Sequence, residues 1–229
     1  SRGSFVGEIM HGLMQGGVDA GYHVTLLTGW EHLAEGNDLH ADLGSADGLL
    51  VLNRDLYQHP AHLEALRRCR LPTVFALEYP DDPAAFWTAP DDEQGGRLAV
   101  GALAAAGHRR IAFVRSAIYP GIFGRRQRGW RTGLIDAGLE PGPILHLDRA
   151  DDAHGLADAG ATAYVCANET IAGWCRDALG DRACVLAFSH SAHAREPQVE
   201  HDLADTIRLA VAQLIDRIDG RSPVRHQTR

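Results

Sequence analysis

The sequence predicts an α/β protein built from parallel sheets with helices on both faces, on three observations. Short apolar runs alternate with 3.6-period amphipathic stretches almost from end to end, the pattern of strands joined by helical crossovers. The helical stretches stop at single glycines, Gly21, Gly107 and Gly138, residues that close helices because they tolerate a left-handed backbone. The chain has 229 residues, 45% hydrophobic and 23% charged, ordinary for a globular protein and long enough for one large domain or two lobes.

Phe5, Ile9 and Leu13, with Val6, Met10 and Met14, form an i, i+4 stripe, so a helix opens the chain. "HVTLL" (His23 to Leu27) reads as a buried strand, followed by a polar helical stretch from Glu31. Next come a strand "GLLVL" (Gly48 to Leu52), a helix around His62 to Arg68 and a strand "TVFAL" (Thr73 to Leu77). The stretch Tyr79 to Pro90 holds three prolines and no periodicity, which marks a crossing between lobes. Asp91 or Asp92 then caps a helix carrying Ala99, Leu103 and Ala106 on one face. "RIAFV" (Arg110 to Val114) is a strand and Arg125 to Ala137 a helix; "PILHL", "TAYVCA" and "ACVLAF" are further strands. Helices over Glu169–Leu179 and Leu203–Ile218 and a terminal "VRHQT" complete the series.

The formal charge of −8 argues against this segment gripping a phosphate backbone by itself, which needs a concentrated positive surface. All 22 basic residues are arginine, a bias that fits a GC-rich genome. Cys69, Cys166, Cys175 and Cys184 have no metal-ligand spacing, and three lie in apolar stretches where a reduced thiol packs. This suits a cytoplasmic protein, and no apolar run is long enough for a membrane span. His190 and His193 lack a third ligand, so no metal is expected; no catalytic motif or cofactor fingerprint is present, so neither enzyme activity nor a cofactor is expected. In open parallel sheets ligands bind beyond the carboxyl ends of the strands. Those ends carry Asn53, Glu78, Arg115, Asp148 and Arg149, Asn168 and Glu169, and Ser189 and His190, a polar set suited to a hydrogen-bonded small ligand.

The segment "DDEQGGRLAVGALAAAGHRRIAFV", Asp91 to Val114, closely resembles the LacI/GalR pattern of an acidic turn, paired glycines, a helix, "GHRRIA" and a strand. Further pieces resemble the family in order: "SFVGEIMHGLMQGGVDAGYHVTLL", "ADGLLVL", "RRQRGWRTGLIDAGL" with its R-x-x-G-[FW] helix, "AYVCANETIAGWCRDAL" and "LIDRIDGR". The resemblance implies a two-lobed periplasmic-binding-protein-like fold with three crossovers. Residues 1–91 and 198–222 would form the N-terminal lobe, and 92–197 and 223–229 the C-terminal lobe. It further implies the effector-sensing and dimerisation core of a cytoplasmic transcription regulator. A small carbohydrate-like effector would bind in the interlobe cleft. Operator DNA would be bound through an N-terminal helix-turn-helix domain that, like the family's first strand, is not in this sequence.

By the same resemblance Arg126, with Gly129 and Trp130, stands at the effector-contacting arginine. The alternative is that Arg125, Arg126, Arg128 and Arg131 are a solvated helical face. Asn168 and Glu169 stand at the family's "ND" pair. Phe5 matches an aromatic at the cleft edge, with plain core burial as the alternative, and Ser4 reaches the cleft from the helix N-terminus. Two departures matter: Ser189 and His190 replace the usual aspartate after "LAF", and Arg149 follows "LHLD" near an aromatic's usual place. With Arg126 these shift the local field positive, which predicts an acidic or phosphorylated sugar-like effector over a neutral one. Two rivals remain at this point. One is a periplasmic sugar-binding protein of a transporter, against which "GHRRIAFV" and buried thiols weigh. The other is a regulator core with a degenerate pocket.

Overall fold

The computed structural model describes residues 5–27, 43–52, 60–117, 120–189 and 197–228. They divide into two compact units, one of residues 1–90 and 202–229, the other of residues 91–201.

The first unit begins with helix α1 (Phe5–Asp19), followed by strand β1 (Leu49–Val51), helix α2 (Pro60–Cys69), and strands β2 (Thr73–Ala76) and β3 (Phe86–Ala89). Helix α6 (Leu203–Ile218) and strand β9 (His226–Thr228) complete it. Its sheet is parallel throughout, in the order β1-β2-β3-β9. Successive strand residues point to opposite faces, and β2 shows the consequence. Val74 and Ala76 pack with Leu13 of α1 and Ile207, Ala210 and Leu214 of α6. Phe75 faces the other way, onto Leu66 and Cys69 of α2. Gln213, buried in α6, ties the terminal strand down: its Oε1 accepts from the Thr88 hydroxyl at 3.0 Å, and its Nε2 donates to the carbonyls of Val224 and Arg225 at 2.5 and 3.0 Å.

The second unit comprises α3 (Asp92–Ala105), β4 (Ile111–Arg115), α4 (Pro120–Asp136), β5 (Ile144–His146), β6 (Ala163–Cys166), α5 (Glu169–Leu179), β7 (Cys184–Ser189) and β8 (Gln198–Glu200). A 3₁₀ helix, Ala150–Ala159, follows β5. All five strands are parallel, in the order β5-β4-β6-β7-β8. The three central strands are apolar along nearly their whole length, as parallel strands covered on both faces must be. Ile111, Phe113, Tyr164, Val165 and Phe188 are all buried.

Five expectations need correction. Residues 223–229 do not join the second unit, because β9 pairs with β3 in the first sheet. Gln198–Glu200 does not return to the first unit either; it is the edge strand beside β7, and the return comes at Asp202. The described chain therefore passes between units twice rather than three times. His23–Leu27 forms no strand: no described strand pairs with it, and Leu26 is 63% exposed. An apolar run alone supplies no ladder partner, and without one the backbone stays irregular. The Tyr79–Pro90 stretch also holds β3, where Phe86 and Trp87 give the strand character that three prolines obscured.

Candidate functional site

Helices α3 and α4 cross at two glycines, and this contact builds the site. A Cβ on Gly129 would lie 1.9 Å from the Glu93 carbonyl oxygen, and one on Gly96 would lie 2.4 Å from that of Arg126. Only glycine permits such backbone approach. Trp130, the next residue, is fully buried with its ring 5.8 Å from Phe113. One turn earlier on the same face, Arg126 is driven inward beside Asp92 in the first turn of α3, which Asp91 caps through the Gln94 amide.

Arg126 is 5% exposed and Asp92 2%. The Arg126 Nε donates to the Asp92 carboxylate at 2.6 Å, its Nη1 donates to the Ala167 carbonyl at 2.5 Å, and its guanidinium lies 4.4 Å from the Phe188 ring centroid. His201 completes the group, its Nε2 3.4 Å from the same carboxylate and its ring 5.7 Å from Phe188. Burial by itself would raise the Asp92 pKa. The Arg126 charge and the His201 hydrogen bond outweigh burial and bring it down to about 2.

The Ala167 carbonyl that receives Arg126 sits at the carboxyl end of β6. There Asn168 caps α5, its Oδ1 accepting from the Ile171 amide at 2.9 Å. The Asn168 Nδ2 keeps two donors with no partner among the described residues. Glu169, exposed in the first turn of α5, accepts a hydrogen bond from the buried Ser189 hydroxyl at the end of β7. On the other side of β6, Arg115 ends β4 and donates to the Gln127 side-chain oxygen at 3.0 Å. At the end of β5, Asp148 accepts from the Ala117 amide at 2.9 Å.

Of the residues singled out from the sequence, Arg126, Asn168, Glu169 and Ser189 are thus brought to one rim. Arg149 stands apart at the end of β5, 78% exposed, with its Nε 3.6 Å from Asp152. The Asp148 amide, bonded to Asp152, holds that carboxyl below its usual pKa. Phe5 begins α1 in the first unit, 49% exposed. Ser4 and His190, like His193, Asn53 and the stretch from Glu31, lie outside the described residues. Sequence reasoning missed Asp92 as a partner of Arg126; the one available signal was a second acid beside the cap, one residue more than capping requires. His201 and Gln127 had no such signal. The described residues contain no group of three or more side chains able to hold a metal ion. No described helix is long and apolar enough to cross a membrane.

By sequence the chain matches no family profile and no curated protein. By structure it is similar to a regulatory protein of the LacI family from Chloroflexus aggregans, with a TM-score of 0.82 at 20% identity over all of this chain and 90% of the other. A LacI family regulator from Enterococcus faecium with bound ribose matches with a TM-score of 0.78 at 18% identity, covering 98% of this chain and 90% of that one. The cellobiose complex of the transcriptional regulator CelR matches at 0.81 and 22% identity, covering 99% and 76%. At such identities the likeness is one of fold: this chain has the periplasmic-binding-protein-like α/β fold shared with LacI-family transcription regulators.

Proposed function

We propose that this chain is the effector-sensing core of a LacI-type transcription regulator, and that it binds a small sugar-like ligand at the carboxyl ends of β4, β6 and β7. The observation that carries this reading is the hydrogen-bonding rim of the second unit, where Asn168, Glu169 and Ser189 line up beyond parallel strand ends. Free amide donors and a carboxylate acceptor suit hydroxyl groups, which both donate and accept. The ribose and cellobiose complexes of proteins with this fold support the same ligand class.

Arg126 acts on this rim from behind, holding the β6 carbonyl and Asp92 rather than offering a free charge. With that guanidinium neutralised and Glu169 at the surface, the rim favours a neutral polyol over the acidic or phosphorylated sugar that the sequence suggests. Homodimerisation is part of the same reading: α1 leaves Val6 at 65%, Met14 at 48% and Val18 at 52% exposed. Operator binding through a further domain belongs to it too.

Calorimetric titration with neutral sugars, each paired with its acid or phosphate, tests the proposal. Binding by at least one neutral sugar is expected, weakened tenfold or more in Asn168→Ala, the scale of one lost hydrogen bond. Unaltered affinity in both Asn168→Ala and Glu169→Gln would place the ligand elsewhere. Monomers alone in sedimentation at micromolar concentration would count against the dimer.

A further inference from the structure

We propose that the first unit carries a second small-molecule site, at the opposite ends of its strands, that takes an organic anion with an apolar body. A cavity of about 740 Å³ opens at the amino ends of β2 and β3, where Thr73 and Phe86 begin those strands. The end of α2 and the last turn of α6 supply its other walls. This volume falls within the range of roughly 300–1,000 Å³ that small-molecule sites occupy.

Arg67 in the lining is held by Asp82, but Arg217 in the lining and Arg225 just outside it form no ion pair among the described residues. The Arg217 guanidinium lies 3.8 Å from the Phe86 ring centroid, and its buried Nε has no hydrogen-bond partner among the described residues. Arg225 approaches the same ring to 5.2 Å while donating to the Pro83 carbonyl at 3.1 Å. Arg217 has no carboxylate beside it among the described residues, while Arg225 feels the Asp82 charge without an ion pair to it. Burial first, and then the charge on Arg225, push the Arg217 pKa down, so this cation is under strain that an anion would relieve. Arg70 adds a further guanidinium at the exposed rim. Of the two acids in the lining, Asp82 is 3.3 Å from Arg67 and Asp81 is exposed, where water screens it.

The apolar walls define the rest of the ligand. Leu66, Leu71, Phe75 and Phe86 line the same space. A bare inorganic ion would leave these walls empty, and a neutral apolar molecule would leave the Arg217 Nε unpaired. A carboxylate or phosphate joined to an aromatic or branched aliphatic group answers both.

The test uses the full chain and calorimetry, with phenyl phosphate and benzoate as probes and benzyl alcohol and inorganic phosphate as controls. At least one aromatic anion is expected to bind tenfold or more tightly than either control, and the stronger of the two identifies the anionic group. Arg217→Met, whose side chain still covers Phe86, should weaken that binding tenfold or more. Arg70→Gly should weaken it about threefold; its backbone already has a φ of 54°, which glycine adopts freely, so its fold is not at issue. Asn168→Ala, which alters the sugar rim, should leave it unchanged, so this site and the proposed effector site fail or stand separately. Controls that bind as tightly as the anions overturn the proposal. So does undiminished binding in Arg217→Met, or in Arg70→Gly should Arg217→Met not fold.

Discussion

Replacing Arg126 by methionine keeps much of the side-chain volume while removing the partner of a carboxylate that is 2% exposed. Asp92 would then lose its arginine and keep His201, at 3.4 Å, and the Ala167 carbonyl would lose the Arg126 donor. Breaking a buried ion pair on one side costs about 3–5 kcal/mol, because the remaining charge stays desolvated. Domains have only about 5–15 kcal/mol in total, so this is a large share. With a urea slope of about 1.5 kcal/mol per molar, a loss of about 3 kcal/mol moves the unfolding midpoint down by about 2 M. Tryptophan emission follows the change, since Trp130 is fully buried in the second unit. The pH dependence gives an independent check. In the wild type the Asp92 pKa of about 2 lies below its ordinary 3.8, so its stabilisation is full above about pH 4 and fades as pH falls toward 2. Without Arg126 the largest influence opposing burial is gone and the folded-state pKa rises. The variant's deficit should then be greatest near neutrality and shrink in acid. A deficit under about 1 kcal/mol, or one that is flat between pH 3 and 7, would refute the ion-pair reasoning.

Gly129→Ala should cost about 3 kcal/mol, because its Cβ would meet backbone rather than a movable side chain; denaturant melts measure this, and a neutral outcome would mean the helices separate freely. Gln213→Leu should loosen β9 without unfolding the first unit, seen as faster proteolysis and amide exchange in residues 224–228. Of the four thiols, Cys69, Cys166 and Cys175 are buried, and burial pushes the Cys166 thiol well up. A thiol reagent should therefore label no more than Cys184 in the native protein and all four after denaturation, and labelling of two or more in the native state would contradict this packing.

Hydrophobic periodicity carried the fold because parallel strands covered on both faces leave continuous apolar runs. "RIAFV", "TAYVCA" and "ACVLAF" correspond to β4, β6 and β7, and the helices over Glu169–Leu179 and Leu203–Ile218 have the bounds expected from the sequence. Short edge strands were less legible. Gln198–Glu200 offers only three residues and Phe86–Ala89 is hemmed by proline, so neither presents a full period. At the proposed site, strand-end logic pointed to Asn168, Glu169 and Ser189, which lie together in the structure, whereas the surroundings of Arg126 depended on which way its helix face turned. That orientation is set by the glycine contact with α3, a relation between residues 33 positions apart that no local pattern encodes.

The pairing of Asp92 with His201 has a topological consequence. Residues 91–201 form an insertion within the first unit's sequence, and these two side chains stand one residue in from its start and at its very end. The insertion closes on itself through its own carboxylate, which fixes the ends of a long loop where closure entropy would otherwise hold them apart. A segment whose termini meet inside its own packing can be cut out or relocated with little loss. Expressed alone, residues 91–201 should fold cooperatively. Joining their ends by a short glycine linker should raise the melting temperature in the wild-type segment more than in one carrying His201→Ala, where the native clasp is already broken.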